Sequence, residues 1–131
     1  MSAQPTTIVG IRGAVQATAD TAAAIEGATR ELLFAMVAQN RVDPAAIVAL
    51  WLTQTPDLTA AHAPAAARGL GWTWVPLLGA QEAPVTGQLP RVVRALLLAP
   101  RSDSASAVRH VYLGAARVLR PDWSEEDPES A

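Results

Sequence analysis

One face of the segment from Thr18 to Asn40 is apolar, with Ile25, Ala28, Leu32, Leu33, Met36 and Val37 recurring three and four residues apart. That period predicts an amphipathic helix of about 20 residues, with Asp20 as its N-cap. Such a helix must bury its stripe against a second layer, and the rest of the chain offers strands for one. "TIVGIRGAVQA" (7–17) carries the β-branched Ile8, Val9, Ile11 and Val15, residues that suit a pleated, half-buried surface. Gly10 and Gly13 flank Ile11 and Arg12, where the backbone could bend or approach a ligand closely. "IVALWLTQT" (47–55), "WTWVPLL" (72–78), the run from Arg91 to Ala99 and "RHVYL" (109–113) read as four more strands.

Turn residues punctuate the remainder. "DPAA" (43–46) pairs an Asp cap with Pro at the first helical position, which predicts a single turn. "PDLTAAHAPAAARGLG" (56–71) reads as a helix broken near Pro64 and ending at Gly69 or Gly71. "GAQEAPVTGQLP" (79–90) is rich in breakers and reads mainly as loop, while "GAARVLRP" (114–121) closes the ordered part. The expected class is α+β: about five strands in a mixed sheet, packed with one long and one or two short helices. Residues 1–121 would form one domain, followed by an acidic, disordered tail over 122–131.

Charge and composition narrow the function. All ten basic residues are Arg, and five of the twelve acids fall in the last ten residues. Residues 1–121 therefore carry ten Arg against seven acids, a net charge of +3 that suits a small anionic ligand. Nucleic-acid binding would call for clustered basic residues and stacking aromatics, so no nucleic acid is expected as a partner. No run approaches the roughly 18 apolar residues of a membrane span, and "MSAQPTT" resembles no secretory signal, so no membrane is expected either. With no cysteine and only His62 and His110, in no HxH or HExxH spacing, neither a metal nor a cofactor is expected. A cytoplasmic protein is the default.

Five polar side chains interrupt or border the apolar elements: Arg12, Glu82, Arg94, Tyr112 and Arg120. Each has a bland reading alone: an edge Arg reaching solvent, a solvated loop Glu, a core Tyr with its hydroxyl satisfied. His62 and His110 read as structural or exposed. Arg94 is the hardest to dismiss. In a strand it shares a face with Val92, Leu96 and Leu98, and a guanidinium is rarely left among such residues without a partner.

Taken in order, "GIRGAV" (10–15), "TPDL" (55–58), "VPLLGAQE" (75–82), "VTGQLPRVVR" (85–94) and "RHVYLGAARVLRPD" (109–122) resemble the trimeric α/β chorismate mutases, across residues 8 to 122. The resemblance implies a pseudo-barrel homotrimer with active sites between subunits. It also implies rearrangement of the dianion chorismate to prephenate, in phenylalanine and tyrosine biosynthesis. That reaction is unimolecular and needs no nucleophile, metal or redox centre. By resemblance, Arg94 is the cation facing the ether oxygen, Arg12 binds a carboxylate, Glu82 accepts from the ring hydroxyl and Tyr112 donates to a carboxylate. The remaining substrate contacts would come from Arg68, Leu78, Gly79, Ala80, Gln81, Leu119 and Arg120. Departures from the commoner pattern fall at Gly79, often Cys or Ser, at Leu78, sometimes Thr, at His62, often Phe, and at Ala65, often polar or charged. Two other functions fit such a fold: an imine deaminase of similar trimeric architecture, and a non-catalytic module that binds dianions.

Overall fold

The computed structural model describes residues 7–101 and 108–124. Five strands form one mixed sheet in the order β3-β2-β4-β1-β5. They are β1 (Thr7–Gln16), β2 (Ala49–Gln54), β3 (Leu77–Gln81), β4 (Val92–Arg101) and β5 (Val111–Tyr112). The central strand β4 runs antiparallel to both β2 and β1, while β3 and β5 are added parallel at the two edges. Two helices, α1 (Ala22–Asn40) and α2 (Pro64–Gly69), pack side by side on one face. A single helical turn, α3 (Pro121–Ser124), follows a 3-10 segment at Gly114–Leu119. The sheet is open: within one chain it does not close into a barrel.

Strand alternation decides which residues meet the helices. Ile11, Val15, Leu50, Leu52, Val93, Ala95, Leu97 and Ala99 join Ile25, Leu32, Leu33, Met36 and Val37 of α1 in one dry core. Sheet and α1 come close at Gly13, where an added Cβ would lie 2.7 Å from the Met36 sulfur and 2.9 Å from the Val111 carbonyl oxygen. A side chain there would push α1 off the sheet. The buried Asn40 ties the end of α1 to the approach to β5: its amide donates to the carbonyls of Met36 and Arg109, and its oxygen accepts the Arg109 N–H.

Three expectations shift by local chemistry. Thr21, not Asp20, caps α1, its hydroxyl accepting the Ala24 N–H. Asp20 instead accepts from the Ala60 and Thr59 amides and the Thr59 hydroxyl, and these bonds, Ala60's foremost, hold its carboxyl below the usual range. Pro64 opens α2 instead of breaking a longer helix, as its missing N–H allows at a first turn. The third strand starts at Leu77, five residues later than the apolar run suggests. Trp72 and Val75 are buried, but as anchors of a turn. The Trp72 N–H is used on the Ala67 carbonyl at the end of α2, and Pro76 has none to give a ladder. The turn at 43–46 forms as expected, with Asp43 accepting from Ala45. Of the acidic tail, residues 125–131 lie outside the described residues.

Candidate active site

The face of the sheet away from α1 carries the polar residues. Laterally paired positions project to the same side of a sheet. Register therefore sets Ala80 of β3, Thr53 of β2, Arg94 of β4, Ala14 of β1 and Tyr112 of β5 in one row on the open face. Glu82 lies on the same side two residues beyond Ala80, one residue past β3, its N–H bonded to the Gln54 carbonyl at 2.9 Å. Arg94 Nε lies 3.1 Å from Glu82 Oε2. The same oxygen accepts the Thr53 hydroxyl at 2.6 Å. Although near the carboxylate, Arg94 Nε is buried and finds no acceptor in line among the described residues. A buried charged donor in that state is held ready for an acceptor that the described residues do not supply.

A second cation group borders the first. Arg12 lies in the next row, opposite Leu96, and its side chain is exposed. Its backbone N–H donates to His110 Nδ1 at 3.0 Å. Burial first, and then the guanidinium charges of Arg12 and Arg120, push the His110 pKa down, so the ring is neutral where it accepts that bond. Arg120 grips Asp122 through a fork, Nε to Oδ1 at 3.1 Å and Nη2 to Oδ2 at 2.7 Å. That hydrogen bonding raises an already high pKa, with Tyr112 contributing electrostatically. The geometry shows how Arg120 would hold a carboxylate, because one occupies it. Tyr112 itself packs with Ala14, Val92 and Ala116, and Leu119 covers this cluster.

This set of an oriented guanidinium, a carboxylate and two further cations can bind a small dianion and stabilise negative charge that develops near Arg94. Among the described residues, no cluster of His, Asp or Glu could hold a metal ion, and no helix is long and apolar enough to cross a membrane.

The family pattern described as chorismate mutase type I matches residues 8–123. The chain belongs to this family. Two similar relatives are the chorismate mutases AroH of Thermus thermophilus and of Bacillus subtilis strain 168. The first is 48% identical over 114 residues, covering 86% of this chain and 93% of the relative. The second is 39% identical over 118 residues, covering 89% and 93%. The fold agrees with a chorismate mutase from Clostridium thermocellum at a TM-score of 0.81 and 34% identity, over 85% of this chain and 99% of that one.

For a chorismate mutase of this type, the residues singled out by sequence divide into two groups. Arg94, Glu82, Arg12, Tyr112 and Arg120 gather on or beside the open face, and Leu78 and Ala80 project from the same side. Gly79 pairs with the core residue Leu52 and faces the helix layer, where Arg68 and His62 are exposed. Gln81 pairs with Gln54 at the end of β3. One chain does not bring the two groups together. Gly79 and His62 make sense as a pair: a Cβ at Gly79 would lie 2.6 Å from His62 Nε2 and 2.6 Å from Pro64 Cγ. The imidazole rests where a side chain at 79 would be.

Sequence reasoning missed Thr53, which binds Glu82 and faces Arg94 across the strands. A hydroxyl in "ALWLTQ", on the same side as Trp51, was the available signal. Asp122 was read as part of the tail, and its spacing two residues from Arg120 was the clue.

Proposed function

We propose that the chain catalyses the rearrangement of chorismate to prephenate, with Arg94 as the principal catalytic residue. The reaction breaks a C–O bond and forms a C–C bond in one molecule, and negative charge builds on the ether oxygen in the transition state. A fixed guanidinium there interacts more strongly with the transition state than with the substrate, which is the condition for lowering the barrier. The observation that carries this reading is the buried Arg94 Nε, 3.1 Å from Glu82 and still lacking an aligned acceptor.

The other roles follow from chemistry and position. Arg12 and Tyr112 take a substrate carboxylate, Arg12 by its planar fork and Tyr112 by its hydroxyl. Glu82 accepts the ring hydroxyl while Thr53 holds its other demand. Arg120 exchanges Asp122 for substrate, with Leu119 beside it. Arg68 and the edge formed by Leu78, Gly79, Ala80 and Gln81 complete the enclosure from a neighbouring subunit. Holding both ends of the substrate in the folded geometry supplies the rest of the rate. No cofactor or metal takes part.

Assembly as a homotrimer, with sites between subunits, accounts for the division of site residues over two sides of the sheet. It also accounts for the exposure of Ile8, Trp51, Leu78 and Leu96 on the open side. Residues 1–121 then act as one domain with an acidic tail at 122–131, in the cytoplasm, on the route to phenylalanine and tyrosine.

The test is the loss of chorismate ultraviolet absorbance with purified protein, beside Arg94→Ala, with sedimentation to fix the assembly. Turnover by wild type and none by the variant is the expected outcome. A folded wild-type trimer that leaves chorismate untouched would instead identify a dianion-binding module.

A further inference from the structure

The turn at Thr55–Leu58 is exposed at Asp57, and its side chains fix the start of β4. Three consecutive residues there, Pro90, Arg91 and Val92, are tied by six hydrogen bonds, five of them to their backbone groups. Gln16 donates to the Pro90 carbonyl at 2.9 Å, and the Ala17 N–H donates to the Arg91 carbonyl at 2.7 Å. The Arg91 N–H donates to Asp57 Oδ2 at 2.9 Å, and the Arg91 Nε–H to the Ala17 carbonyl at 3.0 Å. Val92 donates its N–H to the Thr55 hydroxyl oxygen at 3.0 Å and accepts the Thr55 N–H at 3.0 Å. Thr55 in turn donates its hydroxyl to Asp57 Oδ1 at 2.5 Å.

Two features make this more than a turn. The Thr55 carbonyl is taken by the Leu58 N–H, so the hydroxyl replaces it in the ladder with Val92. Arg91, a residue with a side chain, has φ of 56°. L residues adopt that region at a cost and persist in it only where the surroundings over-determine it. Asp57 supplies the acceptor that does so. Arg94 follows three residues later.

We propose that Asp57 is a positioning residue for Arg94, acting through Thr55 and the Arg91–Val92 backbone to set the start of β4 against β1 and β2. This rests on the reading of Arg94 as the principal catalytic residue. Asp57 satisfies two donors with two oxygens, so Asp57→Asn must orphan either the Thr55 hydroxyl or the Arg91 N–H. Strand β4 then relaxes at its start, and the guanidinium leaves its aligned place.

The experiment pairs Asp57→Asn with Thr55→Val and Thr55→Ser, because the serine keeps the hydroxyl that the valine lacks. In each, kcat, KM, melting temperature and the NMR shift of the Arg94 Nε–H, assigned by its loss in Arg94→Ala, are measured. Asp57→Asn and Thr55→Val should lower kcat by about 10–100-fold, as small misplacements do, with KM within about twofold. Thr55→Ser should hold kcat near wild type. The Arg94 Nε–H resonance should move in the first two and stay in the third. Folded variants whose kcat and resonance match wild type, with only the melting temperature lowered, would reduce Asp57 to a structural turn residue and overturn the proposal. Were wild type itself inactive, the resonance would still decide the positioning claim, and the failure would belong to the functional reading.

Discussion

Two neighbouring rows of the same four strands lie back to back. Ile11, Leu97, Leu50 and Leu77 cross the sheet on its covered side, and Arg12, Leu96, Trp51 and Leu78 on its open side. The two rows differ little in apolar content. Leu97 is fully buried, while Leu96, its neighbour in the chain, is 36% exposed and Leu78 is 63% exposed. The covered row is used up in folding one chain. The open row is not, and the charged row beside it is free to carry chemistry. Substitutions on the two sides should therefore separate stability from activity.

Arg94→Ala gives the sharpest break. It removes the cation from the centre of the open face and leaves Glu82 still held by Thr53. We expect turnover to fall by at least about 10²–10³-fold, corresponding to one lost preorganised donor. The urea midpoint should barely move, because none of the dry core is touched. A variant that unfolds at much lower urea would place Arg94 in the folding machinery and dissolve the contrast.

Leu97→Ala is the converse. Leu97 is 0% exposed in the core under α1. Truncation should cost about 2–5 kcal/mol in stability, read from denaturant unfolding. Activity per folded molecule should remain close to wild type. Loss of activity without loss of stability would show that the covered side also shapes the site.

The same contrast explains what could be read from the chain. The long helix, strands β1, β2 and β4 and the turn at 43–46 follow from local periodicity and capping, since each buries a face its own sequence defines. Arg94 stood out because it breaks that periodicity. Trp72 to Pro76 misled because burial alone does not make a strand: a used N–H and a proline decide the matter. Thr53 and Asp57 escaped notice because their work is done across 29 and 34 positions of sequence, on Glu82 and Arg91. No window along the chain contains both partners. The roles expected of Arg68, Gly79 and Arg120 came from family resemblance, and the register turns Gly79 to the helix side, away from Arg94.

Thr53→Val sharpens the comparison within the open face. Valine matches the shape and suits β2, but cannot donate to Glu82. A hydrogen bond to a charged group contributes about 1.5–3 kcal/mol, so kcat should drop by roughly tenfold or more if Glu82 then drifts from its place. Stability should change little, because the residue is only half-buried. Thr53→Ser, which restores the hydroxyl, should recover most of the loss.

The smallest effect is expected from pH, and it arises where the two sides meet at β5. His110 is half-buried, accepts the Arg12 N–H and is held neutral by burial and by two guanidinium charges. Its folded pKa is depressed, so below its ordinary value near 6.5 the unfolded chain binds a proton more readily than the folded one. The stability it contributes is complete above that value and declines as pH falls through it. Protonation would also turn Nδ1 from acceptor to donor and set a third positive charge beside Arg12 and Arg120. Melting temperature and turnover should be flat from about pH 7 to 8.5 and fall together on acidification. His110→Gln, whose amide oxygen can still accept from Arg12, should flatten the acid limb while leaving the plateau where it was. An acid limb that persists unchanged in His110→Gln would show that this ring is not its origin and overturn the prediction.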